Sequence, residues 1–210
     1  MDKSDEPPER SRAARRASKT RERLLDAALA IINTHGFEGC SIEEITELAD
    51  VGKGTFYRHF NDKASVLKDL LETAVGDLLT RLQDRRNSAH SLDTAVAAVM
   101  ESHTEGFQSR PDLFLLFLQA QNMTASRPAA AQDLNPFFNA FFGEIEKTLS
   151  PFIPAETNEV SRHRLFCATS AAIPGFVMSA LSNRKSAQEV TGQLEAVTQA
   201  FLAGIPRLLR

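Results

Sequence analysis

Tryptophan is absent from this 210-residue chain, tyrosine occurs once, and cysteine twice. The two cysteines, Cys40 and Cys167, stand far apart and in no metal-ligand spacing, so neither a disulfide framework nor a cysteine-based zinc site is expected. They read as small buried thiols, with a redox role left open. No apolar run approaches the roughly 20 residues that span a bilayer. The opening segment, MDKSDEPPERSR, lacks the hydrophobic core of a signal peptide. A cytoplasmic protein without a membrane partner is the expectation. Alternating strand patterns and internal repeats are missing as well. His103, His163, Cys167 and the scattered carboxylates form no nucleophile–base pair and no metal cluster. No catalytic residue, metal or cofactor is therefore expected.

What is present is ordinary in bulk: 42% hydrophobic and 24% charged residues, enough to bury a core. The net charge of −3 argues against a polyanionic partner, but its distribution argues the other way. Arg10, Arg12, Arg15, Arg16, Lys19, Arg21 and Arg23 face a single acid, Glu22. One end of the chain is locally cationic. On its own such a run is more often a solvated face than a nucleic-acid contact.

The stretch Ser41–Lys63 gives that run a context. Ser41 and Glu44 have the spacing of a capping box, and Ile42, Ile45 and Leu48 recur at helical spacing. The pattern breaks at Ala49-Asp50-Val51-Gly52. Lys53, Thr55, Tyr57, Arg58 and His59 follow, all able to reach phosphates or base edges. Phe56 and Phe60, four apart, supply a docking face. One buried helix, a turn and a polar-loaded second helix make a helix-turn-helix.

The remainder is helical throughout. Residues 1–18 are too polar to fold and read as a disordered basic arm. Thr20 caps a first helix that stops at His35-Gly36, and Asn61-Asp62 caps a long helix from Val66 to Leu82. Further stripes run over Leu92–Phe107, from Pro111 through LFLLFLQAQNM, from Asn135-Pro136 to Leu149, over 158–182 with Pro174 kinking it, and from Val190 to Leu208. The fold class is all-α, with about nine helices. Three regions result: the arm at 1–18, a three-helix helix-turn-helix domain at 19–65, and a larger helical domain at 66–210.

Residues 20–71 resemble the tetracycline-repressor (TetR) family. The blocks that carry the likeness are Arg23–Ala28, His35-Gly36-Phe37, Ser41–Ile45, and Val51–Phe60 with Lys63 and Val66-Leu67. The rest matches only by length and helix count. The resemblance implies a homodimeric transcriptional regulator, usually a repressor, whose C-terminal domain binds a small molecule that moves the DNA-binding heads. It places Ser41, Tyr57, His59 and Lys63 on phosphates of a double-stranded operator and Lys53 and Thr55 at base edges. Gly54 would allow close approach to the duplex. Two positions depart from the family: Asp50 stands for a common glycine, and Gly52 for a serine or threonine, so no base-reading role passes to residue 52.

Eleven of the 14 phenylalanines follow residue 100, which suits a hydrophobic cavity among helices. The candidates are Met100, His103, Phe107, Phe114 and Phe117 with Gln121, and further along Phe138, Phe141, Phe142 and Phe176. Each is also an ordinary core residue. His103 and Gln121 would orient a greasy, aromatic or acyl effector, and no carboxylate stands among the stripes to suit a cation. The two C-terminal helices, one rich in small residues and one with a clean apolar stripe, suit a four-helix homodimer seam. The competing readings are an effector-independent DNA-binding protein and a small all-α enzyme.

Overall fold

The computed structural model describes residues 9–126 and 128–209; among them it has nine α-helices, one short 3₁₀ turn and no strand. The chain divides into two compact units, one through Leu70 and one from Leu71. The sequence places that division a few residues earlier, at 65/66; both positions lie within one helix.

The first unit holds α1 (Glu9–Gly39), α2 (Ile42–Leu48), α3 (Lys53–Tyr57) and the start of α4 (Lys63–Arg86). Residues 1–8 of the expected arm lie outside the described residues, whereas Glu9–Ser18 belong to α1. Thr20 does not cap this helix. Its hydroxyl donates to the carbonyl of Arg16, 2.9 Å away, as a threonine does in a helix interior. The expected stop is real in the backbone: Gly36 adopts φ 74 and ψ 167, a region open only to glycine. Helical turns resume beyond it to Gly39. Leu24, Ala28, Ile32, Ile45, Phe56 and Val66, each at most 2% exposed, form the core of this unit. The rings of Phe56 and Phe60 meet within it at a tilt of 43°, 5.7 Å apart.

In the second unit α5 (Leu92–Ser109) is the hub, packed against α6 (Pro111–Ser126), α7 (Pro128–Leu149), α8 (Glu159–Ser182) and α9 (Ala187–Leu208). Capping boxes at Ser91 and Ser186 start α5 and α9. Asn135-Pro136 is not a helix start. Pro136 lies inside α7, which opens at Pro128, so the apolar periodicity from Leu134 onward overrides the punctuation. Pro174 likewise sits within a continuous α8 and is buried.

By length and composition α8 is apolar enough to cross a membrane, contrary to the expectation from the sequence. Leucine, isoleucine, valine, phenylalanine, methionine, cysteine and alanine lend it hydropathy, but serine, threonine, proline and glycine break them up, so no long apolar run is seen. The helix instead packs on α5 and α9.

Candidate nucleic-acid interface

Helix α2 begins with the expected cap. Ser41 Oγ accepts from the Glu44 amide at 3.2 Å, and the Glu44 carboxylate accepts from the Ser41 amide at 3.0 Å and from its hydroxyl at 2.8 Å. Those bonds hold the Glu44 carboxyl below the usual carboxylate range. The turn that follows closes as a Schellman motif: Asp50 N–H donates to Glu47 O and Val51 N–H to Thr46 O, both at 3.0 Å. Asp50 takes φ 50, which aspartate tolerates at modest cost. Arg23 of α1 clamps this turn, donating to both the backbone and the side-chain oxygen of Asp50 at 3.3 Å.

Helix α3 is five residues long and starts at Gly52 without a side-chain cap. Its fully buried Phe56 fixes which face turns outward. Lys53, Gly54, Tyr57 and Arg58 are exposed, with Tyr57 at 57%, unusual for a large ring. Gly54 has open space where a Cβ would stand. Thr55 is half-buried. His59 is half-buried too, with its Nε2 shielded and unbonded, so it turns more inward than a phosphate ligand would. Lys53 forms an ion pair with Glu43 of α2, and that hydrogen bond holds the Glu43 carboxyl below its ordinary range.

Lys63 departs furthest from its expected place. Its ammonium donates to the carbonyls of Phe37 at 3.1 Å, Glu38 at 3.4 Å and Cys40 at 3.1 Å, which engages all three donors inside the unit. The sequence could not reveal this, nor the Arg23 clamp, because both join residues more than 20 positions apart. Cys40 is buried as expected, and burial raises its thiol pKa; Cys167 is exposed, contrary to the buried reading.

Seven of the ten effector candidates meet in one aromatic cluster of the second unit. The His103 ring stands edge-on to Phe141 at 5.2 Å and to Phe114 at 6.2 Å. From there ring contacts of 5.5–6.4 Å connect Phe107, Phe117, Phe138 and Phe142. The cluster also takes in Phe166, 6.0 Å from Phe142, which is not among the expected residues and sits on a helix whose pattern is dominated by small residues. These rings fill the space among the helices by touching one another. Burial pushes His103 down to about 4, and its Nδ1 lies 2.8 Å from the Val99 carbonyl. Met100 is buried a turn earlier on α5. Gln121 stands apart, in a groove of about 310 Å³ with Leu118, Ser170, Pro174 and Met178. Phe176 is half-buried.

Residues 24–70 match the family described as "Bacterial regulatory proteins, tetR family". Among curated relatives, the HTH-type transcriptional regulator UidR of Escherichia coli (strain K12) is 26% identical over 114 residues, 54% of this chain and 57% of that protein. The HTH-type transcriptional repressor KstR of Mycolicibacterium smegmatis is 38% identical over 69 residues, 33% of this chain and 32% of that one. The chain thus spans about half the length of the first of these relatives. The relatives are transcriptional regulators, not enzymes. Two solved structures share the fold across nearly the whole chain. The fatty acid degradation regulator FadR of Bacillus halodurans superposes with a TM-score of 0.69 at 19% identity, covering 88% of this chain and 95% of its own. FadR of Bacillus subtilis, solved in complex with stearoyl-CoA, does so with 0.66 at 17%, covering 87% and 98%.

Proposed function

We propose that this chain, whose residues 24–70 belong to the TetR family of bacterial regulatory proteins, is a ligand-responsive repressor that binds a palindromic operator as a homodimer in the cytoplasm. The observation that carries the reading is the outward face of α3. Lys53, Tyr57 and Arg58 stand exposed on a helix anchored by a fully buried Phe56. Lysine and threonine at positions 53 and 55 meet base edges: lysine bonds guanine acceptors, and a threonine methyl packs on thymine. Ser41, Tyr57 and Arg58 take phosphates and set the register, and Gly54 lets the helix approach. His59, turned inward, and Lys63, bonded to backbone carbonyls of its own unit, support the helix rather than lead the contact.

One five-residue helix reads only a few base pairs, so two heads are needed, spaced by roughly 34–36 Å or a multiple. The second copy docks on α8 and α9. Their outer faces carry exposed Ala171, Gly175 and Ser179 on one and Gly192, Ala196 and Ala203 on the other, small residues that permit close helix packing.

The effector is a hydrophobic molecule taken into the second unit, where phenylalanines dominate and burial keeps His103 uncharged at neutral pH. One observation favours the alternative of an effector-independent DNA-binding protein: the rings fill their own space. Admission of a ligand therefore requires them to separate.

Gel shifts test both halves. The full chain should retard duplexes enriched from a random-sequence pool. Lys53→Ala and Tyr57→Ala should each weaken that binding by about 5- to 100-fold, the worth of one good base or phosphate contact. A panel of long-chain acyl-CoA, free fatty acid and aromatic compounds should contain one that releases the DNA. Failure to shift any duplex at low salt sinks the regulator reading, and shifts that no compound reverses favour the effector-independent one.

A further inference from the structure

Helix α2 opens with two adjacent glutamates that do different work. Glu44 is committed to the capping box. Glu43 reaches across the turn to the Lys53 ammonium of α3. Both partners are exposed, Lys53 by 56% and Glu43 by 62%. A pair so open to water adds little to stability. What it fixes is position.

That matters because a lysine is a compact charge on a flexible four-carbon stem. Left alone beside DNA it settles on whichever phosphate is nearest, which adds affinity without sequence information. Held by Glu43, its ammonium keeps two of its three donors for other acceptors. The guanine O6 and N7 in the major groove are such acceptors.

We propose that Glu43 is a positioning and specificity-determining residue, which tethers Lys53 to the outward face of α3 so that it meets base edges instead of phosphates. The inference rests on the DNA-binding reading of α3. Ordering the ammonium before binding also lowers the entropic cost of the specific contact. Glu43 never has to touch a base for this to work.

The test compares binding of the full chain to a random-sequence duplex pool and to duplexes that the wild-type chain enriches from that pool. Glu43→Gln should bind the random pool about two- to five-fold more tightly, the scale of an exposed ion pair. Its log–log salt slope on that pool should steepen by about 0.9, the signature of one more phosphate contact. Binding to the enriched duplexes should not tighten, so the specificity ratio falls two- to five-fold. Glu43→Ala should repeat the result with a second neutral residue, while the Ser41–Glu44 cap preserves α2.

Glu47→Gln removes an exposed acid from the same helix and should leave the ratio intact, which separates tethering from general charge. In a Lys53→Met background, Glu43→Gln should no longer change the ratio. An unchanged or higher ratio in Glu43→Gln overturns the proposal, as does an equal fall in Glu47→Gln. A wild-type chain that enriches no sequence overturns the DNA-binding reading, and this inference with it.

Discussion

The Lys63 ammonium lies 4.7 Å from the centre of the Phe37 ring while donating to three backbone carbonyls, those of Phe37, Glu38 and Cys40. The first residue of α4 thereby closes the carbonyl end that α1 leaves open beyond Gly36. A helix C-terminus favours a cation, and an aromatic face adds to that preference. Lys63→Met keeps the stem and removes the donors. It should lower the stability of the first unit by about 1–3 kcal/mol, the range for hydrogen bonds to a charged group. Urea unfolding followed by circular dichroism measures it. A variant of wild-type stability that loses salt-dependent DNA affinity would instead place this ammonium on a phosphate.

Local chemistry was legible before the fold was seen. The Ser41–Glu44 cap, the glycine stop at position 36 and the buried Phe56–Phe60 pair all follow from residues within four positions of one another. Thr20 and Asn135-Pro136 carry start signals that the longer helices override: the Thr20 hydroxyl bonds back to a carbonyl inside α1, and Pro136 is tolerated inside α7. Only the length of the surrounding apolar pattern decides between a helix start and a helix interior. The contacts that shape the candidate site were out of reach. Glu43–Lys53 and Lys63–Phe37 join separate helices and Arg23–Asp50 joins a helix to a turn, and no periodicity announces them. The phenylalanine stripes were visible, but whether rings line a cavity or fill it depends on helix spacing.

Phe117 touches three rings of the aromatic cluster, Phe114, Phe138 and Phe141, at 5.5–6.1 Å. It is 1% exposed. Phe117→Ala should destabilise the chain by about 3–5 kcal/mol, as lost transfer energy and a residual cavity add together. Calorimetry would record the lower midpoint. Because the vacated space is apolar, a small aromatic such as benzene should restore part of the loss. A loss under about 1 kcal/mol would mean that the cluster is loosely packed and already open to a ligand.

His103 ties stability to pH. Buried against Phe114 and Phe141, it is held down to about 4 from its ordinary 6.5, because an apolar shell cannot solvate an imidazolium. The neutral ring is what the fold accepts, and the unfolded chain binds the proton more readily. The stability tied to the neutral ring is therefore fully present above pH 6.5 and is lost as pH falls from there to about 4. A displacement of that size corresponds to about 3 kcal/mol at full extent. His103→Gln cannot take up the proton and should flatten the stability profile across this window, even if it is less stable at pH 7. Denaturant midpoints for both chains at half-unit steps of pH would show the difference. Parallel profiles would mean that water reaches the ring and that the aromatic cluster opens in solution.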